Sequence, residues 1–327
     1  MLAIFATCSM SAQSQQDNHR ELIQKARTIA ELYGNHVWAG FSDGPFGVLL
    51  VEEDRERLFC HQGLPDSFEF TGVDPILSCP SGTRPATFPP NMLASFPAVD
   101  DVATIVIGTP EATGKSPDAW VLTILHEHFH QMQFAWPNYY PGTADLDLTG
   151  GDETGMWMLN YPFPYDRIET VSAFRVMADR LIEALDARKT DAFYEALEGY
   201  WQAREAARRT VSDDDWRYIE LQFWQEGVAR WTEGAIAAFS EDFAVAAGEA
   251  SVLIGQELST LDLSSQHRSA VYPIGAGEAS LLEAGGSNWR TNYWSEPFSL
   301  GPHLQKMIDK LARPSAKEDR SHIAEDQ

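Results

Sequence analysis

A chain of 327 residues with 44% apolar content can bury a sizeable core, as one large domain or two intimate ones. Its 48 acidic residues against 24 basic ones leave a formal charge of −24, a field that repels phosphate backbones and excludes nucleic acid as a partner. No apolar run approaches the roughly 18 residues that span a bilayer, so no integral membrane segment is expected.

The start, Met1 to Gln16 (MLAIFATCSMSAQSQQ), passes from a short apolar stretch through small residues to a polar segment, the order found at the end of a secretory signal. No Lys or Arg precedes that stretch, so residues 1–16 read either as a signal segment or as the disordered tail of a cytoplasmic protein. Phe-Ala-Thr before Cys8 is a poor match to a bacterial lipid-attachment motif. Losing Cys8 with a signal leaves Cys60 and Cys79 as an even pair, which predicts a disulfide and a secreted or periplasmic location.

Leu22, Ile23, Ala26, Ile29, Ala30 and Tyr33 recur at helical spacing and predict a first helix over 18–34. Two apolar runs around the charged segment Glu52 to Arg57 predict a β-hairpin, and the Pro-, Gly- and Ser-rich residues 61–100 read as loops pinned by the disulfide. Asp101 to Gly108 is short and β-branched, a strand. Ser116, Pro117 and Asp118 then supply a cap, a first-turn proline and a first-turn acid, so a helix runs from there to just before Pro137. Residues 137–166 read as loop, and helical patterns follow over 171–185, 193–201 and from Ser212 through Phe239, with shorter ones near 275–284 and 301–312. The expectation is an α-rich α+β protein. An N-terminal α/β part covers 17–135, a helical part covers 136–312 and a polar disordered tail covers 313–327.

His126-Glu127-His128-Phe129-His130 reads H-E-x-x-H on the helix predicted from Pro117, which puts His126 and His130 one turn apart on one face. Two imidazoles so placed chelate one zinc ion, and Glu127 beside the first ligand is positioned to take a proton from the attacking water. His128 lies off that face and reads as a packed or surface histidine. The Gly108 to Ser116 stretch imitates a phosphate-binding loop but has five residues between its glycines where that loop needs four, so nucleotide binding is not expected.

From Asp101 to Phe134 the sequence resembles the zincin metallopeptidases, whose active-site helix carries this motif. The resemblance implies a zincin-like fold with a Zn2+ cofactor and a peptide or protein substrate, and an edge strand beside the helix that holds the substrate backbone, a role for which Asp101 to Gly108 is placed in sequence. The metzincin continuation fails, since Gln133 replaces the Gly and Trp136 the third His. The gluzincin-like branch instead takes a Glu on a later helix, followed by Gly and a small residue. Gln225-Glu226-Gly227-Val228-Ala229 has that appearance, which makes Glu226 the implied third ligand, with Glu233, Asp152 and His267 as the other candidates. Gly227 and Ala229 are expected to let this helix approach the motif helix closely. The position four residues after Glu226, acidic in the thermolysin-like pattern, is Arg230, and Glu233 one turn further is the candidate to orient a ligand histidine. The oxyanion donor that related enzymes use falls to Tyr272, with His267 and Tyr293 behind it.

These residues predict a zinc-dependent hydrolase, a peptidase first, with Glu127 as general base. A zinc hydrolase of other amides or esters shares the same chemistry. A catalytically silent zincin-like binding protein would have no use for Glu127. The aromatics over 134–166 read either as a substrate wall or as a satellite core.

Overall fold

The computed structural model describes residues 2–152 and 154–312, with side chains from residue 17 onward; the tail expected over 313–327 lies outside the described residues. The described chain is α+β, with many helices and one six-stranded mixed sheet. It divides into two units, one built from residues up to 147 together with 229–253, the other from 148–228 together with the residues from 254.

The first unit opens with α1 (Leu2–Val37), on which Leu22, Ile23, Ala26, Ile29 and Ala30 are all buried. Strands β1 (Val48–Val51) and β2 (Arg55–Phe59) form the expected antiparallel hairpin. Residues 61–100, expected as loops, instead contain β3 (Glu69–Val73), β4 (Pro80–Pro85) and β5 (Leu93–Val99). Their Gly and Pro hide them from pattern reading, but pairing to β2 and to β6 (Val102–Gly108) supplies what local propensity lacks. The order is β3-β4-β2-β1-β6-β5, and β1 with β6 is the parallel pair. β6 is therefore interior, not the edge strand expected from Asp101 to Gly108. Its five consecutive buried residues, Thr104 to Gly108, are what a strand covered on both faces requires. The edge position belongs to β5, whose Pro97 is tolerated there. A disulfide joins Cys60, after β2, to Cys79, before β4, with the Cα atoms 5.0 Å apart.

After the short α2 (Pro110–Thr113) comes α3 (Pro117–Ala135), started by Ser116, whose hydroxyl accepts from the Ala119 amide at 3.3 Å. It is buried on most of its circumference because α1, β5 and β6 all pack against it. Within the segment expected as loop, α4 (Tyr139–Asp145) follows in this unit and α5 (Trp157–Asn160) in the other.

The second unit continues with α6 (Ile168–Ala187), α7 (Phe193–Arg208) and α8 (Asp213–Gln222), the last closed at its start by a reciprocal Ser212–Asp215 capping box. The helix predicted from Ser212 is interrupted by a π turn (Phe223–Gly227) before it resumes as α9 (Val228–Ala237), which returns to the first unit. Then come α10 (Ala244–Ser259), α11 (Leu263–Gln266), α12 (Val271–Ala284), α13 (Trp289–Asn292) and α14 (Gly301–Leu311). In the second unit's core, buried Arg204 on α7 pairs with Glu220 of α8 at 2.6 Å and with Glu278 of α12 at 2.7 Å, tying three helices together. Among the described residues no helix is long and apolar enough to cross a membrane.

Candidate metal centre

Several polar anchors fix α3. The Trp120 indole donates to the Gly108 carbonyl at 2.8 Å, and the Gln131 amide donates to the Gly47 and Ala103 carbonyls at 3.1 and 2.9 Å, fastening both ends of the motif helix to the sheet. His128 is a packed residue: its ring lies against Phe41 and Phe46, and burial pushes its pKa down, which keeps it neutral. The H-E-x-x-H face is thereby held in one rotation about the helix axis.

On that face the Nε2 atoms of His126 and His130 lie 3.1 Å apart. His130 Nδ1 is 2.6 Å from the Gln133 side-chain oxygen, and His126 Nδ1 is 3.3 Å from Glu233 Oε2. Both partners are acceptors and are satisfied by a proton on each Nδ1, the tautomer in which each Nε2 carries a lone pair. A direct hydrogen bond between the two rings would need a proton on one Nε2 and would turn an unprotonated Nδ1 toward a carboxylate or an amide oxygen. Two imidazole nitrogens facing each other, each ring backed by an acceptor, can serve as ligand atoms for one metal ion.

Glu233 reaches His126 because α9 is fastened within the first unit, where the Trp38 indole donates to Thr232 at 2.9 Å and packs against both Phe129 and Trp231. Arg230 donates to Glu233 Oε1 at 2.5 Å. Burial raises the Glu233 carboxyl, but the charge of Arg230 and the hydrogen bond and charge of His126 outweigh it and hold the group below its ordinary range. It is therefore ionised, as an acceptor for an imidazole N–H must be.

Glu226 lies two turns earlier on the continuous helix that carries Glu233. His126, His130 and Glu226 are buried, and each offers one ligand atom within 4.8 Å of the others, so this group can bind a metal ion. Glu127, the second residue of the H-E-x-x-H motif, is 5% exposed. No family model, curated protein or solved structure matches the chain. The geometry alone therefore carries the functional argument.

Gly227 does not have the role expected of it. A Cβ on Gly227 would stand 2.3 Å from the Cα of Gly275, so this glycine permits the close crossing of α12, and the expected approach to the motif helix is not its purpose. Tyr272, the oxyanion candidate, lies on α12 with its hydroxyl accepting from Arg268 at 3.1 Å, and Arg268 also donates to Glu226 Oε1 at 2.5 Å. Of the alternatives, Tyr293 is buried with its hydroxyl donating to the Trp224 carbonyl at 2.7 Å, a packing role. His267 is stacked on Tyr165, and Asp152 accepts from Thr154 within its own turn. Gln133 and Arg268 are the residues that pattern reading missed. Gln133 had a signal, being three residues after His130 on the same helix; Arg268 had none.

The aromatics of 134–166 divide between the units. Phe134 stacks on His130 with centroids 5.9 Å apart and packs against Tyr139 and Tyr140, whereas Tyr161, Phe163 and Tyr165 pack with Tyr218 in the second unit.

Proposed function

We propose that the chain is a zinc-dependent hydrolase of the gluzincin-like kind, acting first of all on peptide bonds. The observation that carries the reading is the pair of Nε2 atoms 3.1 Å apart, with Nδ1 of one ring facing Glu233 and of the other facing Gln133. Two imidazoles and one carboxylate suit zinc better than calcium or magnesium, which prefer all-oxygen sets. His126, His130 and Glu226 would hold the ion. Bound zinc supplies a Lewis acid that polarises an acyl carbonyl and lowers the pKa of water.

The remaining steps belong to the protein. Glu127, buried and next in sequence to His126, accepts the proton of the attacking water and passes it to the leaving nitrogen. Glu233 and Gln133 keep each imidazole in the tautomer that leaves Nε2 as donor atom. Tyr272 donates its phenolic proton to the oxyanion. Strand β5, at the sheet edge and packed against α3, offers unpaired backbone groups to an extended peptide. The Cys60–Cys79 bridge favours a secreted or periplasmic location.

Metal analysis of protein first stripped with chelator and then exposed to zinc, followed by incubation with a proteome-derived peptide library, tests the reading. About one zinc per chain and cleaved peptides are expected. Zinc without cleavage of any peptide moves the activity to other amides or esters; no zinc at all ends the proposal.

A further inference from the structure

Arg268 sits in a short 3-10 turn (His267–Ala270) directly before α12, and its planar guanidinium donates to three acceptors on two helices. Nε reaches Gln222 Oε1 at 2.8 Å, Nη2 reaches Glu226 Oε1 at 2.5 Å and Nη1 reaches the Tyr272 hydroxyl at 3.1 Å. The group also lies over the Tyr272 ring, 5.7 Å from its centroid. Its neighbour His267 holds φ at 48° and ψ at −127°, a conformation costly for a residue with a Cβ, so the turn that presents Arg268 is kept in place against local preference.

These contacts have a consequence for both carboxylate and phenol. A donor fixed on Oε1 sets the rotation of the Glu226 carboxylate and thereby the direction of its second oxygen. A hydroxyl that accepts from a guanidinium turns its own proton away from it, which makes Tyr272 a donor toward something else. Lysine offers one point charge where this arrangement uses a fork with three directions.

We propose that Arg268 is a positioning residue of the metal centre, one that sets the orientation of the ligand Glu226 and of the donor Tyr272 together; the inference rests on the zinc-site reading above. Neutralising a buried carboxylate would be a lesser role, and the two roles separate by experiment. Zinc affinity is measured by competition against a chelator, and ligand geometry by the visible absorption of the cobalt(II)-substituted protein. Variants Arg268→Gln, Arg268→Lys, Tyr272→Phe and, as a control, His126→Ala are compared, each checked for folding by circular dichroism.

Arg268→Gln should weaken zinc by about 10- to 100-fold and change the cobalt spectrum, and Arg268→Lys should recover part of the affinity without restoring the spectrum. Tyr272→Phe should bind zinc like the parent. Its loss of kcat should vanish when the substitution is made in the Arg268→Gln background, because the phenol is already misdirected there. Parent affinity and parent spectrum in either Arg268 variant overturn the inference, and full recovery of both by lysine reduces Arg268 to a charge and overturns it equally. Should Arg268→Gln fail to fold, the lysine variant is judged by the same two measurements. If the His126→Ala control keeps zinc, the zinc-site reading itself falls, an outcome distinct from failure of the Arg268 proposal.

Discussion

Replacing Gly227 with Ala probes the helix crossing that positions Glu226. The new Cβ would lie 2.3 Å from the Gly275 Cα, 2.6 Å from its carbonyl carbon and 3.0 Å from the Ala276 amide nitrogen. All three are backbone atoms of α12, so no side chain can swing aside, and reaching ordinary contact requires the helices to part by about 1 Å. Overpacking of this kind costs about 1–3 kcal/mol, with backbone against backbone at the upper end, while the better helix propensity of Ala returns about 1 kcal/mol. A net loss of about 2 kcal/mol is expected. Gly199 within α7 serves as the control, because a Cβ there meets nothing within 4 Å. Gly199→Ala should gain about 0.5–1 kcal/mol. Urea denaturation of the zinc-free proteins measures both, and chelator competition should show weaker zinc binding for Gly227→Ala alone. A Gly227→Ala midpoint at or above that of the parent would refute the argument from close packing.

Exchanging Glu127 for Gln should lower hydrolysis by at least about 100-fold with zinc stoichiometry unchanged, since an amide cannot take the proton; unchanged turnover would assign the base elsewhere. Glu226→Ala should weaken zinc by well over the roughly 10- to 100-fold expected for Glu233→Gln, the first losing a ligand and the second only the alignment of His126. Thiol titration of the denatured, unreduced protein should find neither Cys60 nor Cys79, and reduction should lower stability by about 3 kcal/mol. Glu56 is buried and, although burial raises its carboxyl, the amides of Thr87 and Phe88 and the Arg84 guanidinium hold it below the ordinary 4.5. A depressed folded-state pKa means that its stabilisation is complete above about 4.5 and is lost as pH falls through the folded value. The unfolding free energy of Glu56→Gln should therefore vary less over that acid range than that of the parent, and parallel curves would count against the assignment.

The hairpin, the strand over 102–108 and the motif helix were legible because each has strong periodicity or a clear cap within its own residues. Strands β3, β4 and β5 were not, since EFTGV, PSGTRP and LASFPAV contain the residues that usually break strands, and they exist through pairing, β3 with β4, β4 with β2 and β5 with β6. Nor was α10 legible, because AVAAGEASVLIGQELS is small and apolar nearly all round and shows no sharp face. At the site, the residues that follow from local spacing were readable: His126, Glu127 and His130 on one turn, and Glu233 two turns further along the same face from Glu226. Arg268 was hidden for the opposite reason, since an arginine's partner is decided by which helices cross, and that is set by Gly227 and Gly275.

The step between two residues that serve this arginine runs through the π turn. In an α-helix every fourth residue drifts about 40° around the axis, so Gln222 and Glu226 would share one face as His126 and His130 do, while Tyr218 would lie about 80° from Glu226. Hydrogen bonds from residue i to i+5 widen the turn and reduce the rotation per residue, so the step from Gln222 to Glu226, taken through Phe223–Gly227, does not add to the drift from Tyr218 to Gln222. Gln222 and Glu226 accept from two nitrogens of the same guanidinium. Past Gly227 the helix is α again, and the seven residues from Glu226 to Glu233 return the chain to nearly the same face. A regular helix would also bring Gln222, Glu226 and Glu233 to neighbouring positions on one side; what the local widening removes is the further drift of Glu226 away from Tyr218.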